Sequence, residues 1–364
     1  MPDVCEVLIV GGGVIGLSIA RRLALDAVRV TVLDRQAPGR EASWAGAGIL
    51  PPTHLGPADD PLVAMTRETH ALWPQLSEEL VATTGIDNGF RRCGGVRLQH
   101  EPSQTSELSF RADHTQPSSE RPEDWIACGA SAQWLTAAEL KTREPALHAS
   151  DDCAIWLPDL CQVRNPWHLH ALLADCRRLG VEIRPEVEVL NVSRTPTAVL
   201  GVQTTAGDLH SGCVVVASGA WSGLLLPAEL RPVEIEPVRG QILLLRTETP
   251  LLHRVVECGN RYLVPREDGR LLIGSTEERV GYEKQTTTAG IAGLFNLAVG
   301  LVPDLASAKR ELEWAGLRPH ARGGLPYIGA VPDCQGLYLA AGHFRAGLHL
   351  SPLTAERMHK AILG

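Results

Sequence analysis

The stretch VLIVGGGVIGLSIARRLALDAVRVTVLD, Val7 to Asp34, decides the fold. Val7–Val10 is a short apolar run, Leu17, Ala20, Leu23 and Ala24 recur at helical spacing, and Val28–Leu33 is a second β-rich run. Strand, glycine turn, helix and strand in that order make a βαβ unit, whose two strands run parallel. The turn reads Gly11-x-Gly13-x-x-Gly16, and Asp34 ends the second strand 18 residues after Gly16. Each position has a physical task. Gly11 makes the tight turn, Gly13 lets a pyrophosphate approach the backbone, and Gly16 lets the helix pack on the strand. The helix N-terminus faces the phosphates, and Asp34 can accept hydrogen bonds from a ribose diol. With strand, helix and acid all in place, the segment reads as a dinucleotide site rather than a chance glycine turn.

At 364 residues the chain has room for two domains. Its net charge of −8 and the lack of any Lys/Arg-rich run disfavour a nucleic acid or an acidic membrane as partner. No apolar run approaches the ~20 residues of a membrane span. The nine cysteines are scattered without a CxxC pair, and several sit in apolar runs, as Cys213 does before VVV. They read as small buried thiols in a reducing compartment, which with the absence of a basic leader gives the cytoplasm as the expected location. His168 and His170 stand two apart on a helical pattern, hence on different faces, and there is no HExxH or Cys/His cluster, so no metal site is expected. Hydrolase chemistry lacks a Gly-x-Ser-x-Gly elbow.

Beyond the opening unit, helical patterns cover 61–84 and 166–181, the latter with Pro166 at its start and Gly180 at its end. Residues 101–124 are rich in Ser, Pro and charge and read as a surface insertion. Val187–Val192 and Val199–Thr204 alternate like strands, and Cys213–Ala217 is a fully apolar strand ending in SGAWS. From 231 to 318 several strand-like runs follow without βαβ alternation, including Gln241–Leu245, Tyr262–Val264, Leu271–Ile273 and Glu313–Leu317. That region is expected to be more antiparallel. Leu337–Ala341, GHFRAGLHLSP and a final helix close the chain. The expected fold class is α/β (α+β overall): a discontinuous Rossmann-like cofactor-binding domain from 1–88, 137–228 and 316–364, with an inserted mixed or antiparallel-sheet substrate domain from 89–136 and 229–315.

A second glycine- and serine-rich turn, GREASWAGAGILPP at 39–52, follows the Asp34 strand. A nicotinamide site has no need of it, whereas a ligand extending into a buried flavin does. An ordinary Gly/Ala loop is the alternative, and the residues alone leave both open.

Taken in order, GGGVIG with Asp34, SWAGAG, VVVASGAWS (214–222), RGQ (239–241), RYLVPREDGRLLIGST (261–276), WAGLRP (314–319), PYIG (326–329) and AAGHFRAG (340–347) resemble the D-amino-acid oxidase family of FAD-dependent oxidoreductases, and within it the glycine oxidases of thiamine biosynthesis. The resemblance spans nearly the whole chain outside 99–135. It implies noncovalent FAD, since the cysteine that tethers flavin in covalent relatives has no counterpart in 310–333. It implies cofactor contacts from Gly11, Gly13, Val14, Ile15, Gly16, Asp34 and Arg35 in the first unit, and from Ala42, Ser43, Ala47, Gly48 and Ile49 in the second turn. Val189, Ser218 and Gly219 follow, and then Gly342, His343, Phe344, Arg345, Ala346, Gly347 and Leu348, where Gly342 and Gly347 would let the backbone approach the flavin ring.

The resemblance also supplies an anion for Arg318, the carboxylate of an amino acid. A planar fork of N–H donors suits a carboxylate bidentately, although most partly buried arginines pair with an internal Asp or Glu. Tyr262 would be a second donor to that carboxylate, or a core tyrosine bonded to backbone. Arg345 is implied near both flavin and substrate, so Tyr262, Arg318 and Arg345 are the candidate catalytic residues. Glu277 stands where some glycine oxidases carry an apolar residue; it would welcome a cationic substrate or point to solvent. Asn260 likewise varies among relatives. The expected reaction is oxidation of a small amino acid, glycine foremost, by hydride transfer from Cα to flavin N5, with O2 reduced to peroxide. A broader D-amino-acid or sarcosine oxidase, a dehydrogenase using another acceptor, and a tRNA-modifying flavoprotein are the alternatives. A homo-oligomer is compatible with all of them.

Overall fold

In the computed structural model, residues 6–99, 120–148 and 154–364 are described. Most of the 101–124 insertion, with Cys5 and Cys153, lies outside them. Of the insertion's described end, Pro122–Ala127 is a short helix whose first turn is closed by Asp124 Oδ2 accepting from Arg121 N at 2.9 Å.

The opening unit forms as its sequence dictates. Val7–Val10 and Val30–Leu33 are buried parallel strands joined by the helix Val14–Leu25. They sit in a six-stranded sheet ordered Tyr327–Ala330, Leu337–Ala341, Val214–Val216, Val7–Val10, Val30–Leu33, Glu182–Arg184. All neighbours are parallel except the first pair, an antiparallel hairpin. The central strands are apolar on both faces because both are covered. One face meets the helices Val14–Leu25, Asn165–Arg178 and Gly347–Leu363, and the other meets a three-stranded antiparallel sheet, Val189–Arg194, Val199–Thr204 and Gly207–His210.

The region that lacks βαβ alternation builds an eight-stranded mixed sheet: Lys309–Ala321, Ile235–Arg246, Arg270–Gly274, Arg261–Pro265, Val255–Cys258, Gly95–Leu98, Ala154–Leu157, Gln133–Leu135. The period of two sorts its residues. Leu243, Leu245, Leu263, Leu271 and Ile273 pack under the helix Thr288–Leu301, while Ile242, Tyr262, Val264, Leu272 and Trp314 face the turn around Ala47. The second face looks toward the six-stranded sheet, and the site lies between them.

Two details correct the division expected from sequence. Ala154–Leu157 falls inside the 137–228 piece assigned to the cofactor domain, yet it pairs with Gly95–Leu98 and Gln133–Leu135 in the eight-stranded sheet. A four-residue apolar run states that it is buried but not in which sheet. The boundary at 316 also cuts a single strand, Lys309–Ala321, which pairs with Ile235–Arg246 along its length.

The helices are pinned on the first sheet by a buried ion pair. Arg21 Nε donates to Asp175 Oδ2 at 2.7 Å, Arg178 Nε donates to Oδ1 at 2.8 Å, and the Asp175 side chain is 0% exposed. Burial pushes the Asp175 carboxyl up, but the hydrogen bonds from Arg178, Arg21 and Thr83 outweigh it and hold the group below its usual 3.8. A depressed folded value means that its stabilisation is complete above the unfolded value and is lost as pH falls through the folded one. Asp175→Asn is therefore expected to destabilise the protein by about 1–3 kcal/mol at neutral pH, since Arg21 keeps Glu79 as a second partner at 3.0 Å and Arg178 is partly exposed. Urea midpoints of the two proteins should converge below about pH 4; a gap that stays constant with pH would contradict this.

Candidate functional site

Backbone meets backbone so closely in the first turn that side chains are excluded. Gly11 has φ +108°, and a Cβ there would lie 2.6 Å from Ala217 O; a Cβ on Gly16 would lie 1.9 Å from Gly11 O. The helix Val14–Leu25 has no side-chain cap of its own and no acidic residue in its first turn. Ser43 of the second turn reaches across instead, its Oγ accepting from Val14 N at 2.9 Å. The positive helix end is left facing the cavity beside it. Asp34 holds this turn as well as facing the cavity: Oδ2 accepts from Gly12 N at 2.8 Å and Oδ1 from Gln36 N at 3.0 Å. Burial raises the Asp34 carboxyl above its usual range, against the pull of those two amides.

One cavity of about 1580 Å³ joins the two sheets. Pockets for drug-sized molecules run from roughly 300 to 1,000 Å³, so this one has room for a dinucleotide and a small substrate together. Among the residues named from sequence, Gly11 to Ile15, Asp34, Arg35, the Ala42–Ile49 turn, Val189, Ser218, Gly219 and His343 to Leu348 contribute to its wall, as do Tyr262, Glu277 and Arg318. Gly16 and Gly342 do not. Gly16 is spent on helix packing, and Gly342, expected to let the backbone approach a flavin, instead has its Cα against Ala321, where a Cβ would lie 2.7 Å from the Ala321 Cβ.

The residues present fit FAD. The glycine cradle and helix end suit a pyrophosphate, and Asn165 places a buried Oδ1 with no partner among the described residues beside the second turn. Its Nδ2 donates to Ser43 O at 2.7 Å, and Gly48 admits Val163 O only because it lacks a Cβ, which would lie 1.9 Å from that oxygen. Arg266, unnoticed in the sequence, braces the same turn. It is buried, donates from Nη2 to Ala47 O at 2.8 Å and from Nη1 to Gln162 Oε1 at 2.5 Å, and is pushed down to about 10, first by burial. Among the cysteines described, Cys128 lines the cavity, while Cys334 is buried in the core behind the six-stranded sheet.

At the other end stands Arg318. Gly240 lies on the neighbouring strand, and a Cβ there would fall 2.1 Å from Arg318 Nη2. The guanidinium therefore lies over a glycine. Its Nη2 donates to Ser275 Oγ at 2.6 Å and its Nη1 to Thr276 O at 3.3 Å, both neutral acceptors; no carboxylate is within ion-pair distance among the described residues. Burial lowers its pKa, with Tyr262 and Glu277 opposing and Arg345 adding to the fall. Tyr262 lies over Gly274 in the same way, a Cβ there being 2.6 Å from its hydroxyl. The RGQ motif resolves into three tasks. Arg239 pairs with Glu278 (Nε–Oε2 2.5 Å), Gly240 makes room for Arg318, and Gln241 accepts from Thr287 N at 2.7 Å at the start of a helix.

Glu277 neither points to solvent nor stands ready for a cation. Its Oε2 accepts from Arg345 Nη2, while Arg345 Nη1 donates to Asn260 Oδ1 at 3.0 Å. A further charged group went unread in the sequence: Arg97 is bonded to Glu120 and lies 3.6 Å from Glu257, and all three line the cavity. Burial raises the Glu257 carboxyl, and Arg97 draws it back. No described helix is long and apolar enough to cross a membrane, and no cluster of His, Cys, Asp or Glu fit to hold a metal occurs among the described residues.

The family profile described as FAD dependent oxidoreductase matches residues 6–360. A glycine oxidase of Pseudomonas aeruginosa is 35% identical over 99% of this chain and 95% of its own. The crystal structure of glycine oxidase from Geobacillus kaustophilus superposes with a TM-score of 0.89 at 34% identity, over 98% of this chain and 94% of that one. A bifunctional ThiO/ThiG protein of Trichormus variabilis is 33% identical over 96% of this chain, which spans about half (51%) of that protein.

With FAD as cofactor, the Asp34 geometry sets an expectation. Asp34→Ala removes a charged acceptor and loosens the glycine turn that it holds, so FAD affinity should fall at least tenfold, as follows from about 1.5–3 kcal/mol for a charged hydrogen bond. Reconstitution of apoprotein measures this, and an unchanged dissociation constant would mean that the ribose is held elsewhere.

Proposed function

Because the chain belongs to the D-amino-acid oxidase family of FAD-dependent oxidoreductases, we propose that it oxidises a small amino acid, glycine foremost, at the Arg318 end of the cavity. One observation carries this reading: a guanidinium on the cavity wall, shielded by sheet and bonded, among the described residues, to neutral acceptors. Keeping such a cation costs stability unless an anion meets it, and a fork of this shape fits a carboxylate.

Held by the glycine turn, Asp34 and the second turn, FAD would supply a two-electron acceptor for the hydride of the substrate Cα, with O2 as the terminal acceptor and hydrogen peroxide as its product. Everything else falls to the chain. Arg318 takes the carboxylate, the Tyr262 hydroxyl donates beside it, and together they fix where Cα stands; orientation of this kind contributes several orders of magnitude to rate. Glycine reacts as the neutral amine, its ammonium proton having passed to solvent water; the nitrogen lone pair forms the C=N bond as the hydride leaves Cα, and water then releases ammonia and glyoxylate from the iminium. No side-chain base is required, since the cofactor carries the redox step. The helix Gly347–Leu363 starts at the cavity wall and directs its positive end inward, where negative charge accumulates on reduction. The glycine oxidases and the ThiO/ThiG protein among the relatives favour the same substrate, and in thiamine biosynthesis the imine would itself be the compound consumed. Free thiols among the described residues suit a reducing cytoplasm.

Anaerobic addition of glycine should bleach the flavin absorbance; no bleaching with glycine, sarcosine or D-alanine would refute the reading. Arg318→Ala should raise KM strongly and lower kcat/KM, with flavin content and melting temperature little changed, and Arg318→Lys should restore only part of the loss. Gly240→Ala is its steric counterpart: a methyl group where the guanidinium lies should displace Arg318 and raise KM without removing any polar group. A large fall in melting temperature in Arg318→Ala, with normal glycine binding by the folded fraction, would assign the arginine to structure.

We further propose that FAD is held noncovalently, because the cysteine nearest the expected tether, Cys334, is buried away from the cavity. Acid precipitation should leave the yellow colour in the supernatant; colour in the pellet would refute this.

A further inference from the structure

Arg97, Arg318 and Arg345 line the cavity beside Tyr262, as does Arg261, and among the described residues Arg97 and Arg345 already have carboxylates. Arg97 is held by Glu120 and Glu257. Arg345 gives one nitrogen to Glu277 and the other to Asn260, so both arms of its fork are engaged. Arg318 alone of the three is bonded to neutral acceptors among the described residues. Charges on Arg345 and Glu277 both reach Arg318, and that of Arg345 reaches Glu257, so the groups form one electrostatic neighbourhood. Counted by group, Arg97 with its two glutamates carries one negative charge, the Arg345–Glu277 pair is neutral, and Arg318 and Arg261 each carry one positive charge.

We propose that Glu277 is a selectivity residue: by holding the Arg345 guanidinium it withdraws that cation from ligands, so that the site accepts amino acids with one carboxylate and rejects those with two. The inference rests on the reading of Arg318 as the carboxylate site and deepens it. The first carboxylate of a ligand meets Arg318. A second one, carried on the side chain, finds the Arg345 fork already engaged by Glu277 and Asn260 and gains no charge-assisted donor from it, while the Glu277 carboxylate stands beside it. Were Glu277 neutral, Arg345 would present a planar fork a short way from Arg318, which is the geometry that a second carboxylate needs. Neither Asn260 nor Gln at 277 would neutralise the guanidinium. Arg345 and Glu277 come from segments 68 residues apart, the turn Phe344–Ala346 and the segment after strand Arg270–Gly274, so their pairing is a product of the fold.

The test compares ligands that differ by one carboxylate. D-alanine and D-aspartate are the substrate pair, and propionate and succinate are the matching pair that cannot be oxidised, bound to FAD-loaded protein and followed by calorimetry. Wild type should favour D-alanine and propionate. Glu277→Gln should shift both preferences toward the dicarboxylate by about tenfold or more, the worth of one charge-assisted contact, and in turnover the change should fall on KM rather than kcat. Adding Arg345→Gln should abolish the gain, which a merely structural effect of residue 277 would not do. Unchanged ratios in Glu277→Gln, or a gain that survives the loss of Arg345, would overturn the proposal. Failure of wild type to oxidise glycine or D-alanine would count instead against the functional reading, since the propionate and succinate titrations decide the charge arrangement without turnover.

Discussion

The site depends on two glycines that face each other across a strand pair. Gly240 and Gly316 are directly opposite in the ladder between Ile235–Arg246 and Lys309–Ala321. Gly240 clears the space that the Arg318 guanidinium fills. Gly316 lets the strand approach the second turn, where a Cβ would lie 2.6 Å from that of Ala45. Glycine weakens a strand interior, and here the pairing continues for several residues on either side to hold the weak point in register. Trp314 secures the approach, its Nε1 donating to Ala45 O at 3.0 Å and its ring meeting Trp44 at 5.3 Å. An anion-seeking fork and the turn that borders the cofactor trench are thus positioned by the same few residues.

What was legible in the sequence was whatever is local or periodic. The Gly11–Gly16 turn announces itself because its three glycines stand at fixed spacing between one strand and one helix, even though Gly11 also serves a contact with Ala217 that the local sequence does not show. Trp314, Gly316 and Arg318 share a face because a strand has a period of two, and the sheet orients them so. The helices at Pro61–Thr84 and Asn165–Arg178 agree with proline near their starts and glycine after their ends, Gly85 at φ +70° and Gly180 at φ +82°. The resemblance added what no periodicity holds, namely which of many arginines to watch.

The remainder was hidden because it is made by long-range pairing. Nothing in a single sequence says that Asn260 and Glu277 converge on Arg345, or that Glu257 stands beside Arg97, since these contacts need the sheet to be assembled first. Arg266 illustrates the same limit. It sits in a motif that was noted, yet its task, bracing Ala47 from beneath across 219 residues of chain, depends on two segments meeting. Gly342 shows a subtler limit. A glycine beside a flavin loop and a glycine in a tight packing contact look alike in sequence, and its φ of +86° close to Ala321 adds a packing task that the sequence does not announce.

The strand Lys309–Ala321 carries one last implication. It carries Arg318, touches the second turn through Trp314 and Gly316, and bridges to the His343 loop through His320. Any coupling that this strand carries between its two ends is reciprocal: whatever factor FAD would add to the affinity of a ligand at Arg318, that ligand would add to the affinity of FAD. Through such coupling, in a cell short of flavin, the fraction of polypeptide carrying its cofactor would be governed partly by amino-acid supply.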